Sequence, residues 1–412
     1  MKIMISFAKD FVSYALKGGG KYYAWLLFLS FFILVGAYTS FRQFSEGLIT
    51  IGATDQVSWE LYISNFIFTA HIAAAAVLVV IPAYIYKRKD MKDLAVLGEI
   101  IALSFVTIGI IFVTYHVGRP DRMWHMFPGI GIFNLPNSML AFDVVVLNVY
   151  LIVNAIAVFY LLFKKYIGQP MNKKFYTPLI YLAVGWGPLI HICTAFVLSS
   201  NPRVHSWASA VLPFAFLSMA GASGPALIII IFLLIRKYTK LQIDDAVIDL
   251  FSQIIAWSLG ILLLVLSAEY FTELYSSTEH AASLKLNMFG HHGLNTYVPW
   301  FWITMVLIIG SFVMLLIPKI RKSYNSFLPA VCAVVFLTVL LEKPVILVFP
   351  AFSPTPLGEY AIYYPTLIEY FNMLFVWALG FLGLTLLMKG AIGILTGEVR
   401  HSDAAAVKGG VK

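Results

Sequence analysis

Cysteine is almost absent from this sequence. Cys193 and Cys332 are the only two cysteines in 412 residues, and both lie in apolar segments. They form no CxxC pair, no CxxCH motif and no four-cysteine cluster. The chain therefore lacks the usual ligands of iron–sulfur clusters and c-type haem, and we expect it to hold neither cofactor and no metal of its own.

Charge is scarce as well. Charged residues make up 12% of the chain, about half of the usual share in a soluble protein, while hydrophobic residues make up 60% and the mean hydropathy is +0.87. The net charge of +8 comes from lysines and arginines in short loops between apolar segments, a pattern typical of membrane proteins. We predict a protein embedded in a lipid bilayer, with no nucleic-acid partner.

Ten apolar segments are long enough to cross a membrane as helices. They cover residues 22–41, 58–86, 93–117, 137–163, 176–198, 212–235, 248–275, 297–317, 326–349 and 364–388. The predicted fold class is therefore an all-α polytopic membrane protein. Residues 1–21 carry four lysines and no cleavage-site pattern, so we interpret them as a cytoplasmic surface segment and not as a signal peptide.

The basic residues predict the orientation of the helices. With the N-terminus inside, 22 of the 28 lysines and arginines fall in inside segments, and Lys343 is one of the 6 assigned to the outside. The positive-inside rule then places both termini, including a tail at 389–412, in the cytoplasm. The outside loops are longer and richer in glycine, proline and aromatic residues, which indicates that the functional face is the outer one.

An internal repeat is visible. Residues 99–104 (EIIALS) return as 253–258 (QIIAWS), 154 residues later. The repeat predicts one peripheral helix at 22–41, a four-helix bundle at 58–198, a second four-helix bundle at 212–349 and a peripheral helix at 364–388. Because four helices return the chain to its starting side, the two bundles are predicted to be parallel repeats.

Ionisable residues within apolar segments indicate a candidate site. Such residues cost about 2.5–3.5 kcal/mol each to insert into a membrane and are functional candidates by default. His116 ends the third predicted helix, Asp143 lies about one and a half turns into the fourth, and His191 lies near the outer end of the fifth. We expect these three side chains to converge in the outer third of the bilayer. The repeat position of His116 holds Tyr270, so one site in the first bundle is predicted.

A carboxylate and an imidazole that face each other can accept the two hydroxyl protons of a quinol while its electrons leave. Three other interpretations stay open. A b-type haem would need two histidines at matched depth, and His71 is placed deeper than His191 or His116. A proton path can run from Asp143 through His71 to Glu99. His71 and Glu99 can also be polar residues that merely pack between helices.

The residues from 115 to 150 resemble a known family. His116 followed by Gly118-Arg119-Pro120, then by Asn137-Ser138 and by Asp143, is similar to the NrfD/PsrC-type quinone-interacting membrane subunits. Residues 119–125 (RPDRMWH) and 136–143 (PNSMLAFD) are most similar to the DsrP/HmeB branch of sulfur-metabolising prokaryotes. A further acidic residue of some relatives is not evident in the sixth predicted helix, where residues 218–225 are SMAGASGP.

The resemblance implies a membrane subunit without a redox cofactor of its own, which binds quinone or menaquinone as substrate near the outer face. It implies a ferredoxin-like iron–sulfur subunit docked on the outer loops, with haem-containing and other membrane subunits in the same complex of the prokaryotic cytoplasmic membrane. His116 and Asp143 would form the quinol site. His191, Arg119 and Arg203 would support it, with Arg119 at the docking surface or near the charge that develops on the quinone.

Two rival functions follow from the same residues. A secondary transporter would use Asp143 and His116 to bind a proton or a substrate, since some transporters also contain parallel repeats. A purely structural membrane anchor would use neither residue.

Overall fold

The structure is a computed structural model that describes residues 2–127, 129–276 and 281–401. Its helices are α1 (Lys2–Leu16), α2 (Gly20–Glu46), α3 (Leu61–Ile85), α4 (Ala95–His116), α5 (Met139–Tyr166), α6 (Lys173–Ser199), α7 (Leu212–Tyr238), α8 (Asp245–Ser276), α9 (Ala281–Phe289), α10 (Val298–Leu316), α11 (Phe327–Phe352) and α12 (Leu367–Leu395). The described residues contain no β-strand. The all-α prediction is confirmed.

The ten predicted crossings are confirmed as well. Within the described ranges, α2–α8 and α10–α12 are the ten helices long and apolar enough to span a bilayer. Because successive spans alternate in direction, the described loop residues 47–60, 117–127, 129–138, 200–211, 281–297 and 353–366 lie on one face, called the loop face. The opposite face, called the terminal face, carries α1 and residues 396–401. Which face is cytoplasmic stays a prediction.

Eight of the spans form two groups of four, and within each group every helix contacts two others. In the first group α3 contacts α4 and α6, and α5 contacts α4 and α6. In the second group α7 contacts α8 and α11, and α10 contacts α8 and α11. The groups meet where α3 and α6 contact α7. The division into two four-helix bundles and their origin as a parallel repeat both stay predictions.

Small residues on α7 bring the two groups together. A Cβ atom added to Gly224 would lie 1.9 Å from the Cβ of Ala75 on α3, so any side chain at this position would displace one of the helices. Close approach of this kind is a frequent way for membrane helices to associate, because lipid provides no hydrophobic drive between them. The small residues at 218–225 therefore act in packing.

The peripheral helices α2 and α12 pack against each other, and α12 also packs against α4 of the first group. The N-terminus of α12 is fixed by a capping box, in which Thr366 and Glu369 each bond to the other's backbone N–H. α1 lies against α12 on the terminal face, with Phe7 in edge contact with Phe159 and Tyr166 of α5. The segment predicted only as a surface segment thus contains a packed helix.

One span contains an irregular turn at which a lysine is buried. Residues Lys343–Val348 of α11 form a π-helical turn that contains Pro344. Lys343 has no exposed surface. Its assignment to an outside segment is therefore wrong: it lies inside the span, where the widened turn directs it into the protein. π turns within α-helices frequently accompany functional sites.

A buried polar network joins the peripheral helices to the first group. The Asn372 Oδ1 accepts hydrogen bonds from Thr39 at 2.6 Å and Ser40 at 3.2 Å. Its Nδ2 donates to the Gln43 side chain at 2.7 Å and to the Tyr62 hydroxyl at 3.1 Å. These bonds tie α2, α3 and α12 together beside His116, whose neighbour Tyr115 bonds to Ser40 and, through its carbonyl, to Gln43.

We predict that Asn372→Ala lowers the free energy of unfolding in detergent by about 2–3 kcal/mol. Hydrogen bonds between membrane helices contribute about 0.6 kcal/mol each on average, and four are lost. Asn148 on α5 is exposed and bonds only to the Val144 carbonyl of its own helix, so Asn148→Ala should cost less than about 0.5 kcal/mol. Equal losses in the two variants would contradict a stabilising role for the network.

Candidate functional site

The ends of two neighbouring helices bring a histidine and a carboxylate together on the loop face. His116 is the final residue of α4, which ends at a turn where Gly118 has a φ of 74°. Glu60 immediately precedes α3 and is in an extended conformation. Because α3 and α4 run in opposite directions side by side, these two residues meet. The His116 Nδ1 lies 2.9 and 3.0 Å from the two carboxylate oxygens of Glu60.

The two members of this pair differ in exposure. The Glu60 side chain is 1% exposed and that of His116 is 28% exposed. The carboxylate is thus removed from solvent and compensated by the imidazole, whereas the imidazole still reaches the surface. No other hydrogen bond to the His116 side chain occurs within the described part of the chain, so Nε2 is free to meet a ligand.

A second buried carboxylate lies close to Glu60. Glu369 of α12 accepts hydrogen bonds from the backbone N–H groups of Gly52 at 2.7 Å and Thr366 at 2.8 Å. It is also bonded by the Tyr363 hydroxyl, which in turn accepts from the N–H of Leu61 at 3.3 Å. The loop-face end of α3 is therefore fixed by groups of α12 and of the segment before it.

Asp143 is buried in the second turn of α5, where it is 5% exposed. Its Oδ1 accepts a hydrogen bond from Thr194 of α6 at 3.1 Å. The structure thus gives Asp143 and His116 different partners and no direct contact with each other. Their joint action on one substrate stays a prediction.

His191 lies deeper than the surface and beside His71. The ring centroids of the two histidines are 4.9 Å apart and their planes are inclined by 68°. The sequence-based argument that the two differ in depth is therefore wrong. A haem needs its two axial imidazoles on opposite sides of the porphyrin, and rings in edge contact do not fit that arrangement.

No hydrogen bond between described residues connects His71 to Glu99 along the predicted path. Glu99 accepts a hydrogen bond from Tyr176 at 3.2 Å, and Tyr176 bonds to Tyr84 at 3.1 Å. All of these residues are described in the structure, and no hydrogen bond joins them to His71. The path itself stays a prediction.

Both predicted arginines lie on the loop face. Arg203 donates to the carbonyl oxygens of Asp55 at 2.8 Å and Gln56 at 2.5 Å, and thus holds the segment before α3. Arg119 pairs with Asp121 at 2.8 Å, both well exposed. The hydrogen bond from Arg119 lowers the pKa of Asp121, so the loop keeps this charged pair at neutral pH.

Glu60 and the buried Lys343 of α11 were not predicted as site residues. Nothing in the sequence indicated that Glu60 meets His116. Lys343 could have been found, because an ionisable residue within an apolar span is a functional candidate by default.

The fold and its ten apolar helices define a polytopic membrane protein, and the buried ionisable groups between those helices are candidate functional residues. The chain belongs to the family described as "Polysulphide reductase, NrfD", whose model matches residues 50–351. The family indicated by the residues around His116 is thereby confirmed.

Three relatives are similar to this chain over more than half of its length. A selenate reductase subunit of Mesobacillus selenatarsenatis is 23% identical over 284 residues, covering 61% of this chain and 65% of that protein. A putative dimethyl sulfoxide reductase membrane subunit of Halobacterium salinarum is 20% identical and covers 53% of each chain. The Hdr-like menaquinol oxidoreductase integral membrane subunit of Archaeoglobus fulgidus is 22% identical, covering 64% of this chain and 63% of that protein. The chain thus matches less than two thirds of the length of each.

We predict that His116→Ala lowers the free energy of unfolding by about 1–3 kcal/mol, because it leaves the buried Glu60 carboxylate unpaired. A fully buried pair would lose about 3–5 kcal/mol, and the solvent contact of His116 reduces that value. The double variant His116→Ala/Glu60→Gln should recover part of the loss, since the unpaired charge is gone. Denaturant titration of the wild type, the two single variants His116→Ala and Glu60→Gln and the double variant measures the effect, and strictly additive losses would contradict the pairing.

Proposed function

We propose that this chain is the quinone-reactive membrane subunit of an oxidoreductase complex, with menaquinol oxidation as its physiological direction. The observation that carries the proposal is the His116–Glu60 pair, in which a buried carboxylate holds one ring nitrogen of a partly exposed imidazole at 2.9 Å. A carboxylate in this position orients the imidazole and stabilises the imidazolium that forms when it accepts a proton.

Oxidation of a quinol releases two electrons and two protons. In the proposed reaction His116 accepts a hydrogen bond and then the proton from one hydroxyl, and Asp143 serves the other hydroxyl. The two electrons pass to a one-electron carrier on the loop face, and the quinone leaves into the lipid. His191, Arg119 and Arg203 support this site, the first through α6 and the arginines through the loops that frame it.

The loop between α4 and α5 suits a partner subunit. Ile132 is 91% exposed and Phe127 is 62% exposed, next to the exposed ion pair of Arg119. An apolar surface with charged residues at its margin is typical of a protein interface. We assign it to a ferredoxin-like iron–sulfur subunit, with haem-containing and other membrane subunits in the same complex. The names of the relatives as reductase and oxidoreductase subunits support such an assembly.

The proposed orientation places the loop face outside the prokaryotic cytoplasmic membrane and both termini in the cytoplasm. It rests on the excess of lysine and arginine in the segments of the terminal face. The quinone is a substrate in this proposal, and the redox cofactors belong to the partner subunits.

We predict that His116→Ala and Asp143→Asn each lower quinol turnover by about 100-fold or more, the usual effect of losing a proton acceptor. The complex is purified in mild detergent, and oxidation of a menaquinol analogue is recorded together with iron and haem content. His291→Ala is the matched control, because this loop-face histidine belongs to the second group and stacks on Tyr360.

Three outcomes decide between the functions. Loss of turnover with intact partner content in both variants, and normal turnover in the control, supports the quinol site. Normal turnover in Asp143→Asn and His116→Ala with intact assembly indicates a structural anchor. A chain that purifies alone and shows no response to quinol indicates the secondary transporter.

A further inference from the structure

A cluster of ionisable side chains is buried where the two four-helix groups meet. It consists of His71 on α3, His191 on α6 and the adjacent Glu342 and Lys343 on α11, and is called the inter-group cluster. The exposed fractions of these residues are 0%, 1%, 4% and 0%. The sequence pattern placed His71 and His191 in the first group alone and gave no sign that the other two join them.

Lys343 makes three close contacts within the protein. Its Nζ lies 2.8 Å from a Glu342 carboxylate oxygen and 2.7 Å from the sulfur of Met219. It also lies 4.7 Å from the ring centroid of Phe216. The Phe216 ring in turn contacts His71, with 4.9 Å between the two ring centroids. Lys343 and His71 thus contact the same aromatic ring, and His191 lies against His71.

The two imidazoles have no hydrogen-bond partner in the protein. All four ring nitrogens of His71 and His191 are buried and unbonded to any described residue. Leaving a polar group unsatisfied costs about 1–3 kcal/mol, and such groups in a polar site are usually bridged by water. The cluster thus contains four buried ring nitrogens that are available to exchange a proton.

A contribution to the stability of the fold does not explain why these residues are buried together. Replacing a buried ion pair by well-packed apolar residues is often neutral or stabilising, so the Lys343–Glu342 pair and the unbonded imidazoles are a cost to the fold. A neutral imidazole carries both a proton donor and a proton acceptor, and a histidine pair with water can pass a proton in either direction. Proton transfer is the function that these groups share.

The cluster connects to Asp143 on one side. Thr194, which donates to Asp143 at 3.1 Å, follows His191 by three residues on α6. Residues with this spacing lie on the same face of a helix. Both side chains are 1% exposed. The proton acceptor of the proposed quinol site and the histidine pair therefore adjoin within one buried region.

On the other side the cluster leads back to the loop face. Glu269 and Glu273 are four residues apart on one face of α8, which packs against α7 and α10 of the second group. α8 ends at Ser276, so Glu269 and Glu273 lie about two turns and one turn from its loop-face end.

We infer that the inter-group cluster is a proton-transfer site that receives the proton taken up by Asp143 and passes it through Glu342 into the second helix group, whose helix α8 carries Glu269 and Glu273 near the loop face. The inference rests on the proposed function. One quinol proton leaves through His116 and Glu60 at the surface, and the second leaves through the second helix group. The two electrons go to the partner on the loop face, so that quinol oxidation is balanced.

The test measures turnover of the intact complex with a menaquinol analogue in H₂O and D₂O. His71→Leu and Lys343→Met should each lower the maximal rate by about tenfold or more, leave the KM for quinol unchanged and increase the solvent isotope effect, because proton transfer becomes limiting. Thr304→Val is the control: Thr304 on α10 is equally buried and its hydroxyl is unbonded, but it lies outside the cluster.

The outcomes separate this inference from the proposed function. Normal rates and isotope effects in both cluster variants, with His116→Ala inactive, would overturn the proton-transfer site and leave the quinol site intact. Normal turnover in His116→Ala would overturn the proposed function itself. If a variant fails to assemble, His71→Gln and Lys343→Gln replace it, since the amides keep most of the volume; unaltered kinetics in these would equally overturn the inference.

Discussion

Lipid offers no hydrogen-bond partners, and this constraint determines how the polar side chains of the chain are arranged. A carboxylate such as Glu60 can be buried only if the protein supplies its partner, and the facing ends of α3 and α4 supply His116. The same constraint explains the network around Asn372 and the backbone donors around Glu369. The polar residues therefore gather at a few junctions between helices, and these junctions define both the fold and its candidate sites.

The candidate site depends on helices outside the first group. α2 and α12 belong to neither set of four, yet their side chains bond to Tyr62 and Tyr115, and Tyr363 just before α12 bonds to the start of α3. The helices that carry the candidate site residues are thus different from the helices that fix their positions. The four-helix group presents His116 and Glu60, and the peripheral pair fixes their geometry from the side.

Hydropathy alone predicted all ten spans, because each span contains an apolar run long enough to cross a bilayer. The site was predicted less completely, since side-chain contacts between distant segments leave no local signal. His116 is recognisable at its helix end, but its partner Glu60 precedes it by 56 residues.

Lys343 was misplaced because a lysine near a helix end normally reaches water, and only the π turn around Pro344 reverses that expectation. The relative depth of His71 and His191 was wrong for a related reason: counting residues from an assumed helix end ignores how neighbouring helices are shifted along their axes.

The bond between Gln43 and Asn372 joins residues separated by 329 positions. During synthesis, His116 and Glu60 enter the membrane long before residue 372 leaves the ribosome. The junction beside them therefore stays incomplete for most of translation, because Gln43 and Ser40 of α2 can bond to Tyr62 and Tyr115 early but to Asn372 only at the end. Completion of the surroundings of the site is in this sense a late event, separate from insertion of the helices that carry it.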